Sequence, residues 1–200
     1  MDRFLKKFPR IARQTSIIDT RTTHLIANDE KQHLRSPLSI KLIEAIAHHC
    51  SCVSYRWIAD CLKENRIIDE ESYEIESDNT ESQAHFGPRR SRLAERRYSL
   101  FENICFMIKC VESADMRLSN ERLEELITVC GGQIITCVTQ RLLEKNQIVV
   151  LCDSTYVTQR HSNYDQCRSL GIQFVSSDWV LESILEYNLK SFFLFEEVPS

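Results

Sequence analysis

The chain reads as an α/β fold in two copies, each a parallel sheet flanked by helices. Three observations predict it. Val53-Ser54-Tyr55-Arg56-Trp57-Ile58 runs from a short apolar strand into a helix with a Trp in its first turn. The pattern returns as Val175-Ser176-Ser177-Asp178-Trp179-Val180, 122 residues later (175 − 53). That period is too long for a solenoid unit and suits a duplicated domain. Short β-rich runs also alternate with helical stretches, the order that favours parallel strands.

The elements follow in chain order. From Asp2 to Ala12, Phe4, Leu5, Phe8 and Ile11 stand at helical spacing, and Pro9 keeps that helix short. Thr15-Ser16-Ile17-Ile18 and Thr23-His24-Leu25-Ile26-Ala27 read as strands, and 28–35 as a charged loop. Ser36-Pro37 is a helix-start signal, with Leu38, Leu42, Ile43, Ile46 and Ala47 forming the buried stripe behind it. The strand Cys52-Val53 leads into a helix from Arg56 to Lys63. Residues 69–97 turn from acidic to basic and hold few apolar side chains, so they read as a connector.

The second copy opens with the strand Asn103–Ile108. Its first helix, 119–129, is capped by Ser119 or Asn120 and ended by Gly131-Gly132, where Gly supplies a left-handed turn. Strands follow at 134–136 and 148–151. The polar stretch 153–168 holds a short helix at best, and the strand 172–175 feeds the Trp179 helix.

At 42% hydrophobic, the 200 residues can build cores, and a net charge of −4 confines any anion site to a local patch. The nine cysteines contain no C-x-x-C pair and sit mostly in apolar runs, which points to reduced, buried thiols. No Gly-rich phosphate loop, H-E-x-x-H or nucleophile elbow occurs, and the six histidines form no ligand spacing with Cys or carboxylates. The expectation is no enzyme, no metal and no cofactor. No apolar run reaches membrane length.

The Val-Ser-x-x-Trp marks, Gly131-Gly132 and Thr22-Thr23-His24-Leu25-Ile26 resemble the tandem BRCT repeat. Gly87-Pro88-Arg89-Arg90-Ser91-Arg92-Leu93 resembles the inter-repeat linker of the breast-cancer susceptibility protein and its RING partner, the latter slightly favoured. The resemblance implies two BRCT domains packed head to tail, each with a small parallel four-stranded sheet. It implies repeat 1 at 1–75, a linker at 76–98 and repeat 2 at 99–200. The first strand of repeat 1 is missing from the chain, so more residues upstream or another segment are expected to fill its slot.

The resemblance also implies a phosphoserine-peptide reader acting as an interaction scaffold in the DNA damage response, located in the nucleus. Ser39 and Lys41 map to the phosphate site. Leu38, Ile43, Leu126 and Leu181 map to the groove for the residue three places after the phosphoserine, and Glu182 to a contact between repeats. The bland alternatives are a solvated lysine, a surface hydroxyl and plain core. Leu38 stands where the susceptibility protein has a peptide-contacting arginine, and leucine cannot make that hydrogen bond. The alternative function is docking to chromatin, a ubiquitylated nucleosome or DNA through Arg89, Arg90 and Arg92, with Arg96 and Arg97 continuing the run. Against it stands a linker whose arginines pair with the acidic stretch before it. Any ubiquitin-ligase activity, and any RING heterodimer, would belong to regions outside this chain.

Overall fold

The computed structural model describes residues 1–29, 34–80, 83–95, 99–110 and 118–199. They form two compact units. The first takes Met1–Ala94 with Leu185–Tyr187, the second Glu95–Ile184 with Asn188–Ser200. No helix among the described residues is long and apolar enough to cross a membrane.

The first unit begins with α1 (Asp2–Lys7) and β1 (His24–Ala27), then β2 (Arg35–Ser36) and α2 (Ile40–Ala47). It continues through β3 (Ser51–Ser54), α3 (Tyr55–Glu64), β4 (Ser77–Asp78) and α4 (Gly87–Leu93). Helix α1 ends at Lys7 because Phe8 precedes a proline and leaves the helical region, with φ −121°. Helix α2 buries six consecutive residues, Leu42 to Ala47, five of them apolar and the sixth Glu44, so it is central to the unit.

Its strands differ from the expected single sheet. They form two parallel pairs, β1 with β3 and β2 with β4. The strand expected at Thr15–Ile18 does not form. In the second unit the strand in that place pairs with one neighbour only, and the described residues of the first unit hold no counterpart of that neighbour. A strand without a ladder partner leaves its backbone groups to water or to turns.

The helix start at Ser36-Pro37 is also corrected. Ser36 pairs with Asp78 in the β2–β4 ladder. Ser39 is the N-cap instead, its Oγ accepting from the Leu42 N–H at 3.2 Å. The supposed connector takes structure as well: Glu71–Tyr73 is a 3₁₀ turn, Ile75 is fully buried, and α4 buries Gly87, Pro88 and Ser91. Pro88 in the first turn of α4 is the ordinary helix-start signal.

The second unit runs β5 (Ile104–Ile108), α5 (Asn120–Val129), β6 (Gln133–Ile134), α6 (Gln140–Leu143) and β7 (Gln147–Leu151). It closes with α7 (Ser154–Gln159), α8 (His161–Ser169), β8 (Gln173–Val175) and α9 (Asp178–Glu186). Its four strands form one parallel sheet in the order β6-β5-β7-β8. Covered on both faces, β7 reads as an unbroken apolar run, Ile148 to Leu151, all buried.

The Gly131-Gly132 pair ends α5 for two reasons. Gly131 adopts φ +85°, and a Cβ on Gly132 would lie 2.8 Å from the Phe106 ring. The polar stretch before β8 carries two helices, not one short one at best. Asp153 caps α7, accepting from the Tyr156 N–H at 2.8 Å, and the buried Val157 and Tyr164 anchor the pair to the core.

The duplication holds at the level of single hydrogen bonds. The Trp57 indole N–H donates to the Ile68 carbonyl at 2.9 Å, and that of Trp179 to the Lys190 carbonyl at 2.9 Å. Val53 bridges antiparallel to Glu74, and Val175 to Glu196. The Ile68 N–H donates to Cys61 Sγ, and the Lys190 N–H to Ser183 Oγ. Asn65 and Tyr187, at the ends of α3 and α9, both take positive φ.

Trp57 lies against Phe4 at 5.9 Å and under the His24 ring at 5.5 Å, nearly parallel to it. Trp179 stacks on Phe192 at 4.7 Å and touches Phe101 and Phe106. Trp57→Ala and Trp179→Ala are each expected to cost about 3–5 kcal/mol, from the lost burial and the orphaned carbonyl. Denaturant unfolding of the intact chain measures this, and a cost near that of a surface substitution would rule out the anchoring role.

Candidate functional site

The N-terminus of α2 gathers three of the sequence-predicted residues on one exposed turn. The backbone of Ser39 is extended, φ −150° and ψ 154°, and its carbonyl accepts from the amides of Leu42 and Ile43 at 3.0 and 3.2 Å. While its Oγ accepts from Leu42, the hydroxyl proton of Ser39 remains available to donate. The amides of Ile40 and Lys41 have no acceptor among the described residues. Lys41 is exposed and faces no carboxylate among them, and the first turn of α2 holds no acidic residue. Leu38 is half-buried beside them, while Ile43 turns inward and is buried.

A helix start with free amides, a hydroxyl donor and an unpaired ammonium suits an oxyanion. The other predicted residues lie in the second unit. Leu126 is buried on α5, and Leu181 is half-buried on α9. Glu182 is exposed, 4.0 Å from the Lys190 ammonium.

The arginines of α4 are already engaged. Arg92 forks onto Glu74, Nε to Oε1 at 2.7 Å and Nη2 to Oε2 at 3.0 Å. The Glu74 hydrogen bonds hold the Arg92 guanidinium above its ordinary pKa. Arg89 faces Glu71 at 3.1 Å, and Arg90 donates to a main-chain carbonyl. Arg96 and Arg97 lie outside the described residues. Behind these pairs, a cavity of about 230 Å³ is lined by Asp69, Glu70, Glu71, Glu74, Arg89 and Arg92 among others.

Two polar networks escaped sequence reasoning. Ser54 caps α3 and donates to Asp29 at 2.8 Å, while Arg56 pairs with the same carboxylate. Asp78 is buried and meets His85 Nε2 at 3.3 Å, while His85 Nδ1 accepts from the Gly87 N–H at 3.1 Å. The Asp78 backbone N–H also points at His85 Nε2, at 3.4 Å. Burial pushes the Asp78 carboxyl up, but hydrogen bonds from His85 and Thr80 outweigh it and bring the group down to about 2. The only sequence signal was a Ser/Thr/Asn/Asp cluster beside a histidine, which also describes ordinary loops.

All nine cysteines are free thiols. Burial pushes Cys50 to about 11 and both Cys130 and Cys152 to about 12, which keeps them protonated and inert near neutrality. Cys137 is the exposed one.

Comparison with known proteins places these features. Residues 99–195 match the BRCT domain. The breast cancer type 1 susceptibility protein homolog of Mus musculus is 25% identical over 177 residues, 88% of this chain and 9% of that protein. Its Caenorhabditis elegans counterpart is 28% identical over 178 residues, covering 85% and 28%. The S. pombe Brc1 BRCT5-BRCT6 structure superposes with a TM-score of 0.63 at 20% identity, covering 94% of this chain and 87% of that one.

Residues 99–195 form a BRCT domain, and the mouse and nematode relatives align over most of the chain. Its fold is that of tandem BRCT structures, with parallel sheets flanked by helices. The complex of Rtt107p with a phosphorylated histone also shares it, with a TM-score of 0.59 at 12% identity, covering 94% and 81%. BRCT tandems are protein-interaction modules, not catalysts. The chain spans about a tenth of the mouse relative and about a quarter of the nematode one.

Two outcomes follow from the buried groups. The folded carboxyl of Asp78 titrates below its unfolded value of 3.8, so its contribution to stability is present above about 4 and is lost as pH falls through about 2. In denaturant unfolding across that window, the gap between wild type and Asp78→Asn closes as pH falls; a pH-independent gap would mean the charge is not the stabilising feature. Limited alkylation of the native protein, followed by mass mapping, modifies Cys137 first, and earlier labelling of Cys130 or Cys152 would contradict their burial.

Proposed function

We propose that this BRCT tandem binds phosphoserine-bearing nuclear proteins, with the phosphate held by Ser39 and Lys41 at the start of α2, and that it acts as a scaffold in the DNA damage response. The observation that carries the reading is the unpaired ammonium of Lys41, two residues past a hydroxyl cap and beside two amides without acceptors. A phosphate brings nearly two charges and three acceptor oxygens, and this turn offers a cation, an O–H and N–H groups in return. The complex of Rtt107p with a phosphorylated histone, which has the same fold, supports the ligand class.

In this reading the residue three places after the phosphoserine meets the apolar side chain of Leu38 beside the turn. With leucine at 38, no guanidinium fixes the peptide backbone there, so selection rests on the apolar contact alone. Docking through Arg89, Arg90 and Arg92 has weaker support, because Glu71 and Glu74 already neutralise two of the three.

Calorimetry with a phosphoserine peptide and its unphosphorylated twin tests the proposal. Lys41→Ala removes a charge-assisted contact of about 1.5–3 kcal/mol, so affinity for the phosphopeptide falls roughly ten- to a hundredfold while Lys41→Arg retains part of it. Equal affinity of the wild type for both peptides would overturn the reading.

A further inference from the structure

A second cationic surface lies on the first unit, on the face formed by α1 and α3. Residues 1–13 carry Arg3, Lys6, Lys7, Arg10 and Arg13 against one acid, Asp2, in a chain whose net charge is −4. All five cations are exposed, as are Lys63 and Arg66 on and just after α3. None of the seven has a carboxylate partner among the described residues. Elsewhere in the unit, by contrast, Arg21, Arg56, Arg89 and Arg92 each face an aspartate or glutamate, while Lys41 does not.

The face is rigidly built. Phe4 packs on Trp57, and the Lys7 ammonium is held by the Leu62 carbonyl at 2.9 Å, a contact that fixes its place without cancelling its charge. Arg3, Lys7 and Lys63 stand around an open depression of about 500 Å³ whose floor is Ala59 and Leu62. No carboxylate lines it. Nearby Asp60 is occupied by the Tyr73 hydroxyl at 2.8 Å.

The geometry points to a docking surface for the phosphate backbone of duplex nucleic acid, formed by Arg3, Lys7 and Lys63 with Lys6 and Arg10 beside them. Point charges around a shallow concavity, with an apolar floor that offers no group to read a base or a side chain, suit a rounded, uniformly anionic backbone. An acidic protein segment would need partners for its amides and carbonyls, and Ala59 and Leu62 supply no side-chain donor or acceptor. The surface is separate from the α2 turn, so it stands whether or not that turn binds phosphoserine.

The test is fluorescence anisotropy of a labelled short DNA duplex with the intact chain, across roughly 50 to 200 mM salt. Binding is expected in the range of about 10⁻⁴–10⁻⁶ M, without sequence preference and falling steeply with salt. The triple variant Arg3→Gln/Lys7→Gln/Lys63→Gln, checked for an unchanged melting temperature, lowers affinity at least about tenfold and flattens the log–log salt slope by about 2–3. Its affinity for a phosphoserine peptide stays that of the wild type. An unchanged duplex affinity in the triple variant overturns the proposal, as does loss of duplex binding in Lys41→Ala. Binding of polyglutamate as tight as that of the duplex also overturns it, marking the face as one for acidic proteins.

Discussion

Each unit depends on one buried tryptophan whose indole N–H must find an acceptor. In both units the acceptor is the carbonyl eleven residues further on, beyond the end of the helix that carries the Trp. That single bond ties three parts together: the strand before the helix, the helix itself, and the segment after it, which returns to bridge the strand at Val53–Glu74 or Val175–Glu196. The side chain brings a large apolar surface to one face of the sheet and a polar handle to the chain crossing its edge. Without the handle the returning segment would have no fixed place, and Glu74, which receives the fork of Arg92, would lose its own.

From that point charge is distributed by necessity. Glu74 is buried, and a buried carboxylate demands a partner. Arg92 supplies it, and Arg89 meets Glu71. Two arginines of α4 are therefore neutralised by acids that precede them in the chain. Lys41 at the start of α2 and the cations on α1 and α3 meet no carboxylate among the described residues.

Much of this was legible in the linear pattern. The strand–helix–Trp signature and its echo located both tryptophan helices. The apolar stripe placed α2, and Ser119 with Gly131-Gly132 bounded α5, because caps and apolar spacing are local properties that tertiary context rarely overrides. Other elements were not legible. Ser36-Pro37 carried a valid start signal, but a ladder with Ser77-Asp78 claimed Ser36 and moved the cap to Ser39. Helices α7 and α8 hold too few apolar residues to show a stripe; Val157 and Tyr164 suffice only because the sheet waits beneath them. Thr15–Ile18 has the composition of a strand and no ladder to join.

The sequence by itself therefore determined the duplication, the α/β class, the family and the identity of the residues at the α2 turn. Their availability was decided only by the tertiary structure. Whether an arginine or a lysine is free to meet an anion depends on which carboxylates the fold brings within reach, and those partners come from other elements: Glu74 lies 18 residues before Arg92 and Asp29 27 residues before Arg56. Pairing at such separations follows from packing, and packing is not written in local spacing. The same physics made Asp78 a buried, low-pKa carboxylate and left Lys41 in solvent without a carboxylate partner among the described residues.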